Sequence, residues 1–139
     1  MTYSAHRQGY KRHSAQAYAN VGLETEVLSA SPEHLITLLY NGARAAIMQA
    51  KLHLQQGNIA QRGMAISKAI DIVDSGLKAS VSVEEGGELA TNLIATYEII
   101  IHNLLRANMQ ADVIKLDLAE QLLSELSQAW TTAVDTQRA

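Results

Sequence analysis

The chain of 139 residues contains no cysteine, which excludes disulfides, thiolate metal sites and cysteine nucleophiles. It also has no phenylalanine, one proline and eight glycines, a composition that favours helices over a turn-rich β-sandwich. The longest stretch without Asp, Glu, Lys or Arg covers eleven largely polar residues, 13–23. A transmembrane helix needs about 18 apolar residues, so we expect no membrane insertion.

Charge is sparse in this sequence. Only 18% of the residues are charged, the formal net charge is -3, and 47% of the residues are hydrophobic. The chain is therefore too apolar to be disordered and too lightly charged to be an obvious nucleic-acid binder. The basic N-terminus has no apolar run behind it, so we do not expect a signal peptide. These features predict an all-helical cytoplasmic protein that binds no nucleic acid.

The N-terminal residues 1–30 differ from the rest of the chain. Up to residue 23 they contain three basic side chains, three tyrosines and no acid, and they have no sustained apolar period. We therefore expect a flexible N-terminal arm over residues 1–30, followed by a helical bundle domain over residues 31–139.

Four segments after the arm carry apolar residues spaced by threes and fours, which is the pattern of amphipathic helices. The first begins at Ser31-Pro32-Glu33, because serine can cap a helix, proline fits the first helical position and glutamate suits the positive end. Gly57 is a natural end for this helix, and Asn58 is a plausible cap for the next one. The predicted helices cover residues 32–56, 59–80, 88–109 and 111–134, with residues 83–87 as a breaker. Their short connections predict an all-α fold, an antiparallel four-helix bundle.

Some apolar residues fall outside the predicted core stripes. At 100° per residue, Met48 and Leu52 lie on the side of the first helix opposite its core stripe, and Leu38 is placed on the same side. On the third helix, Ile99 points away from the core, in the same region as Asn92. Single exposed apolar residues are common in monomeric proteins. The same placement also fits a groove that accepts apolar residues from another helix.

A search for catalytic and metal-ligating patterns yields little. Glu98 and His102 are i, i+4 neighbours that could offer two metal ligands, but no third ligand is evident. The sequence contains no Glu-x-x-His pair of the di-iron type, no phosphate-binding P-loop and no placeable Ser–His–acid set. We therefore predict no enzyme activity, no catalytic residue, no metal and no cofactor. A metal-dependent bundle enzyme and a self-associating structural or regulatory bundle are the alternative hypotheses.

Several short motifs occur in collinear order over about residues 10–134. They are Ala17-Tyr18-Ala19, Ser29-Ala30-Ser31-Pro32, Leu35-Ile36, Leu39-Tyr40-x-Gly42, Ser67-Lys68-Ala69-Ile70, Gly86-Gly87-Glu88-Leu89-Ala90-x-Asn92-Leu93-x-x-x-Tyr97, Leu104-Leu105-x-Ala107-Asn108, Asp112 and Ala129-Trp130. Together they resemble the FliS family of flagellar export chaperones. The sequence departs from the family pattern at Ile99, where a tyrosine is frequent, at His102, where an arginine is frequent, and in a short extension before Tyr10.

This resemblance implies a cytoplasmic, ATP-independent chaperone of the bacterial flagellar type III secretion system. Members of the family bind the disordered C-terminal segment of flagellin, which wraps around the bundle and becomes helical in apolar grooves. Binding prevents flagellin from polymerising before it is exported. Some members also bind the anti-sigma factor FlgM or another flagellar regulator, and a homodimer is a further expectation to test.

The spare apolar positions on the first and third helices offer a surface for such a client, and the resemblance implies a role for the arm. The candidate client-binding residues are Leu38, Met48, Leu52, Asn92 and Ile99. Among them Asn92 is expected to supply a hydrogen-bonding group. Tyr10 and Tyr18 are assigned to an arm that caps part of the client surface and is displaced, whereas Tyr97 and Trp130 are expected to close the core.

Overall fold

The computed structural model describes residues 30–138, which form four helices with no strand among them. The helices are α1 (Pro32–Gln56), α2 (Ile59–Asp71, continued by a π-turn over Ile72–Leu77 and a 3-10 turn over Lys78–Ser80), α3 (Val83–Gln110) and α4 (Val113–Arg138). The predicted arm, including Tyr10 and Tyr18, lies outside the described residues apart from Ala30.

The four helices form a closed ring of neighbours. Each helix packs against the next one along the chain, and α4 returns to pack against α1. Because the connections are short, successive helices run in opposite directions. The predicted antiparallel four-helix bundle is therefore confirmed. In this arrangement α1 and α3 occupy diagonal corners of the bundle.

The ends of α1 follow the local sequence. The Ser31 Oγ accepts a hydrogen bond from the His34 N–H at 3.2 Å, and Pro32 occupies the first turn. Gly57 ends the helix in a left-handed conformation, with φ of 74°. Asn58 occupies the N-cap position of α2, as expected, although its side chain makes no capping hydrogen bond and its amide donates to Gln56 Oε1 at 3.1 Å.

The end of α2 winds more widely than an α-helix. Its π-turn over Ile72–Leu77 contains Gly76, which is buried against α1. A Cβ atom at this position would lie 3.0 Å from a methyl group of Leu39. The absence of a side chain at Gly76 therefore permits the close approach of α2 to α1.

The interruption of helix predicted over residues 83–87 covers fewer residues in the structure. Ser82 Oγ accepts a hydrogen bond from the Glu85 N–H at 3.4 Å, so a helical turn already begins at Val83. The interruption is confined to Gly87, whose φ of 56° and ψ of -130° no helix accommodates. Regular helix resumes at Glu88, where α3 was predicted to begin.

The turn between α3 and α4 has no glycine. Ala111 adopts the left-handed conformation, with φ of 52° and ψ of 47°, and its N–H donates to the Ala107 carbonyl. Asp112 then caps α4, since its Oδ1 accepts from the Ile114 N–H at 3.0 Å. The predicted start of α4 at residue 111 is therefore two residues early, because an alanine occupies a position that usually holds glycine.

The core is built mainly from aliphatic side chains on the inner faces of the four helices. Tyr97 is buried in it, as expected. Trp130 is only half-buried, and its Nε1 donates to Thr37 Oγ1 at 3.1 Å on α1. About half of the surface of Leu105 on α3 is exposed. The largest fully buried side chains are Leu39, Ile47, Ile66, Ile72, Leu77, Ile100, Leu104, Leu116, Leu123 and Val73.

Candidate protein-binding surfaces

Large apolar side chains are numerous on the outside of the bundle. Those in the described residues that expose more than a third of their surface are Met48, Leu52, Ile59, Met64, Val83, Leu89, Ile99, Leu105, Met109, Val113, Ile114 and Leu118. A single exposed apolar residue requires no explanation. Adjacent ones that line grooves, in contrast, indicate a surface that binds a partner.

Met48 and Leu52 occupy the outer face of α1, as the helical spacing predicted. Met48 is 64% exposed, Leu52 is also exposed, and Ala45 is exposed beside them. The placement of Leu38 on this face is wrong, because Leu38 is only 6% exposed and belongs to the core. Leu38 lies about 80° around the helix from Met48, so the two side chains point in different directions.

Two shallow grooves flank the outer face of α1. The groove toward α2 has a volume of about 640 Å³ and includes Met64 on its far side. The groove toward α4 has a volume of about 710 Å³ and includes Met48 and Leu52. Both grooves are lined by Ala45, so they form one continuous area. We call Ala45, Met48, Leu52 and Met64 the α1 surface.

The polar side chains around the α1 surface include amides, members of ion pairs, and His53 and Lys68 in the groove toward α2. The Lys51 Nζ lies 2.7 Å from Asp117 Oδ1, and the Arg44 Nη2 lies 3.6 Å from Glu120 Oε1. These ion pairs join α1 to α4 beneath the edge of the surface. Glutamines and an asparagine supply much of the remaining polar edge, namely Asn41, Gln49, Gln55 and Gln61. The surface is therefore apolar with a polar edge, to which Lys68 adds a basic side chain.

A second apolar area lies on α3. Ile99 is 52% exposed and Asn92 is also exposed, in agreement with their predicted orientation. We call Asn92 and Ile99 the α3 surface. Because α1 and α3 are diagonal in the bundle, the structure does not bring Met48 and Leu52 together with Ile99 and Asn92.

A third depression lies at the end of the bundle where α1 and α3 begin. It has a volume of about 440 Å³ and its walls include exposed Leu89, buried Tyr97 and half-buried Trp130. The expectation that Tyr97 and Trp130 serve only to close the core is therefore incomplete. Leu89 follows the break at Gly87, and that break leaves its side chain outside the core.

Sequence reasoning missed several exposed apolar residues. Met64 is 72% exposed and lies about 160° around α2 from the buried Ile66, so the angular analysis applied to α1 would have found it. Met109 and Ile114 flank the turn at Ala111. Their exposure depends on a turn that has no breaker residue in the sequence.

The pair that sequence analysis considered for metal binding is not a pair in the structure. His102 Nε2 accepts a hydrogen bond from Arg106 Nε at 3.0 Å, whereas Glu98 lies 4.0 Å from Lys78 Nζ. Lys78 also contacts Asp74 at 2.9 Å, and this hydrogen bond raises the pKa of Lys78. Among the described residues, no three His, Asp or Glu side chains are grouped so that they could hold a metal ion.

A four-helix bundle with exposed apolar side chains on diagonal helices has the architecture expected of a helical protein that binds other polypeptides. No helix in the described part of the chain combines the length and apolar character that crossing a membrane requires.

Comparison with known proteins identifies the family to which the chain belongs. The family model described as "Flagellar protein FliS" matches residues 14–137. The flagellar secretion chaperone FliS of Salmonella typhimurium strain LT2 is 46% identical over 121 residues, which cover 87% of this chain and 90% of that protein. The FliS protein of Escherichia coli strain K12 is 39% identical over 121 residues, with coverages of 87% and 89%. The FliS protein of Vibrio cholerae serotype O1 is 35% identical over 119 residues, with coverages of 86% and 87%. The chain belongs to the FliS family of flagellar secretion chaperones.

Proposed function

We propose that this export chaperone binds the disordered C-terminal segment of flagellin in the cytoplasm, without catalysis, and keeps it from polymerising before export. The observation that carries the proposal is the position of the α1 surface and the α3 surface on diagonal helices of one bundle. A rigid partner would reach one of these surfaces at a time. An unfolded segment can follow the outside of the bundle and contact both.

The energetics of such a client agree with the character of these surfaces. A disordered segment loses chain entropy when it binds, so its affinity must come from burying a large apolar area. Met48 and Leu52 on α1 and Ile99 on α3 offer apolar side chains that are already exposed. Methionine suits this role because its flexible thioether adapts to varied partners.

The client-contact residues in this proposal are Met48, Leu52, Asn92 and Ile99. Asn92 is exposed at the edge of the α3 surface and would pair with a polar group of the client. Leu38 is assigned to the core instead, since it is buried.

The N-terminal arm completes the proposal. Ala30 packs against the core just before α1, whose first turns line the third depression. We propose that the arm, with Tyr10 and Tyr18, occupies part of the client surface until flagellin displaces it. A regulator such as the anti-sigma factor FlgM would compete for the same apolar surfaces.

The test is calorimetric titration of the full chain with the C-terminal segment of flagellin from the same organism. We expect one-to-one binding, a negative heat-capacity change and a rise in helicity by circular dichroism. Deletion of residues 1–20 should tighten binding if the arm competes with the client. A folded sample that gives no heat and no added helicity at high micromolar concentration would refute the flagellin assignment.

The second candidate function, a self-associating bundle, is favoured by the same exposed apolar surfaces. Sedimentation of the free protein distinguishes it. In that case a Met48→Gln variant would convert oligomers into monomers, and flagellin would bind neither form.

A further inference from the structure

Sulfur chemistry in this chain is confined to methionine. The sequence has four methionines and no cysteine. Three of the methionines lie in the described residues, and all three are exposed, Met48 by 64%, Met64 by 72% and Met109 by 82%. Peroxides therefore have free access to these thioether groups.

Two of the three exposed methionines lie on one surface. Met64 lines the groove between α1 and α2, and Met48 lines the groove between α1 and α4. The two grooves share Ala45 and Gln49, so both thioethers belong to the α1 surface. Met109 is at the far end of α3 and lines neither groove.

We propose that Met48 and Met64 form an oxidation-sensitive site that weakens client binding at the α1 surface when peroxide is present. This proposal rests on the proposed function. In the reaction, the thioether sulfur attacks one oxygen of hydrogen peroxide, an S–O bond forms and the O–O bond breaks. The sulfur is oxidised by two electrons to the sulfoxide. The peroxide is reduced, and its second oxygen leaves as water after taking the proton from the transferred oxygen.

The sulfoxide changes the α1 surface from apolar to polar. Conversion of methionine to its sulfoxide replaces a flexible apolar side chain by a polar one. Burying the oxidised side chains under a client then contributes much less favourable free energy to binding than burying the unmodified methionines. We expect about a tenfold loss of affinity for each oxidised methionine that the client covers. Enzymatic reduction of the sulfoxide would restore binding, which makes the site a reversible one.

The chain itself supplies matched controls. Leucine has a similar volume to methionine and no sulfur, so a Met48→Leu/Met64→Leu variant keeps an apolar surface that peroxide cannot alter. A Met109→Leu variant removes the most exposed described thioether and leaves the α1 surface as it is. The ratio of the dissociation constants after and before oxidation is compared within each variant, so differences in starting affinity do not matter.

The experiment treats the full-length wild type and both variants with hydrogen peroxide. Peptide mass spectrometry then measures the sulfoxide at positions 48, 64 and 109, and calorimetry measures binding of the C-terminal flagellin segment. We expect a 10- to 100-fold ratio for the wild type and for Met109→Leu. We expect a ratio near one for Met48→Leu/Met64→Leu, and recovery of the wild type after treatment with a methionine sulfoxide reductase.

Two results would overturn the proposal. One is complete oxidation of Met48 and Met64 with undiminished binding, and the other is an equal loss of affinity in the Met48→Leu/Met64→Leu variant. Failure of the proposed function gives a different result, because the untreated wild type would then not bind the flagellin segment at all.

Discussion

The hydroxyl groups of Tyr40 on α1 and Tyr97 on α3 lie 2.5 Å apart and form a hydrogen bond inside the bundle. Both side chains are buried. The bond joins the two diagonal helices that carry the α1 surface and the α3 surface. The two diagonal helices are therefore linked through the interior by a polar contact.

Stability should fall at alkaline pH because of Tyr40. Burial raises the pKa of Tyr40 above its ordinary value of 10.0, against the opposing effect of the Tyr97 hydrogen bond. The unfolded chain therefore loses the Tyr40 proton at a lower pH than the folded chain does. The stabilisation is fully present below pH 10, and it is lost as the pH rises from there through the folded pKa. Urea denaturation between pH 8 and pH 11 should show this decline, and a Tyr40→Phe variant should show a shallower one.

Removing one hydroxyl of the tyrosine pair should cost more than removing both. A Tyr97→Phe variant leaves the buried Tyr40 hydroxyl without this partner, and we expect a loss of about 1–3 kcal/mol. A Tyr40→Phe/Tyr97→Phe variant removes both polar groups at nearly constant shape and should be more stable than Tyr97→Phe alone. Urea denaturation of the three proteins measures this order. A double variant less stable than the single one would contradict the explanation.

Gly76 should not tolerate a methyl group. A Cβ there would lie 3.0 Å from the side chain of Leu39, which is fully buried and has little room to move. We expect Gly76→Ala to destabilise the protein by about 1–3 kcal/mol. Gly63→Ala is the matched control, because its Cβ would meet nothing closer than 3.8 Å. That variant should gain up to about 1 kcal/mol from helix propensity. Thermal denaturation of both variants tests the contrast.

Replacing Ala111 by glycine should stabilise the folded protein. Its φ of 52° places a residue with a side chain in the left-handed region, at a cost of about 1–2 kcal/mol. An Ala111→Gly variant should therefore be more stable by about 1 kcal/mol. The same change at Ala95, which is exposed within α3, should destabilise by about 0.5–1 kcal/mol. Equal losses in both variants would show that the turn carries no strain.

The sequence predicted those parts of the fold that depend on local chemistry. The bounds of α1 follow from Ser31, Pro32 and Gly57, which act on the chain next to them. The start of α4 could not be found in this way, because the exposed Ala111, whose N–H donates to the Ala107 carbonyl, adopts a conformation that its own side chain disfavours. The π-turn around Gly76 likewise depends on the approach of another helix.

The candidate site was predictable to the extent that one helix determines it. Counting 100° per residue placed Met48, Leu52 and Ile99 on exposed faces, and the structure agrees. The same count failed for Leu38, which is 6% exposed and belongs to the core, since burial depends on tertiary packing as well as on position around one helix. The α1 surface includes Met64 from a second helix. The inclusion of Met64 in this surface follows from the packing of α1 against α2. The periodicity of either helix alone does not predict it.

The most direct test of the account asks whether one flagellin segment contacts both surfaces at once. A photoreactive phenylalanine analogue is placed at position 48 or at position 99 of the full chain, and each protein is irradiated in complex with the C-terminal flagellin segment. Mass spectrometry then locates the cross-links, and a scrambled segment is the control. We predict that positions 48 and 99 cross-link to two different parts of the same segment in a one-to-one complex. Cross-linking from only one position, or from both positions to the same part of the segment, would contradict the account.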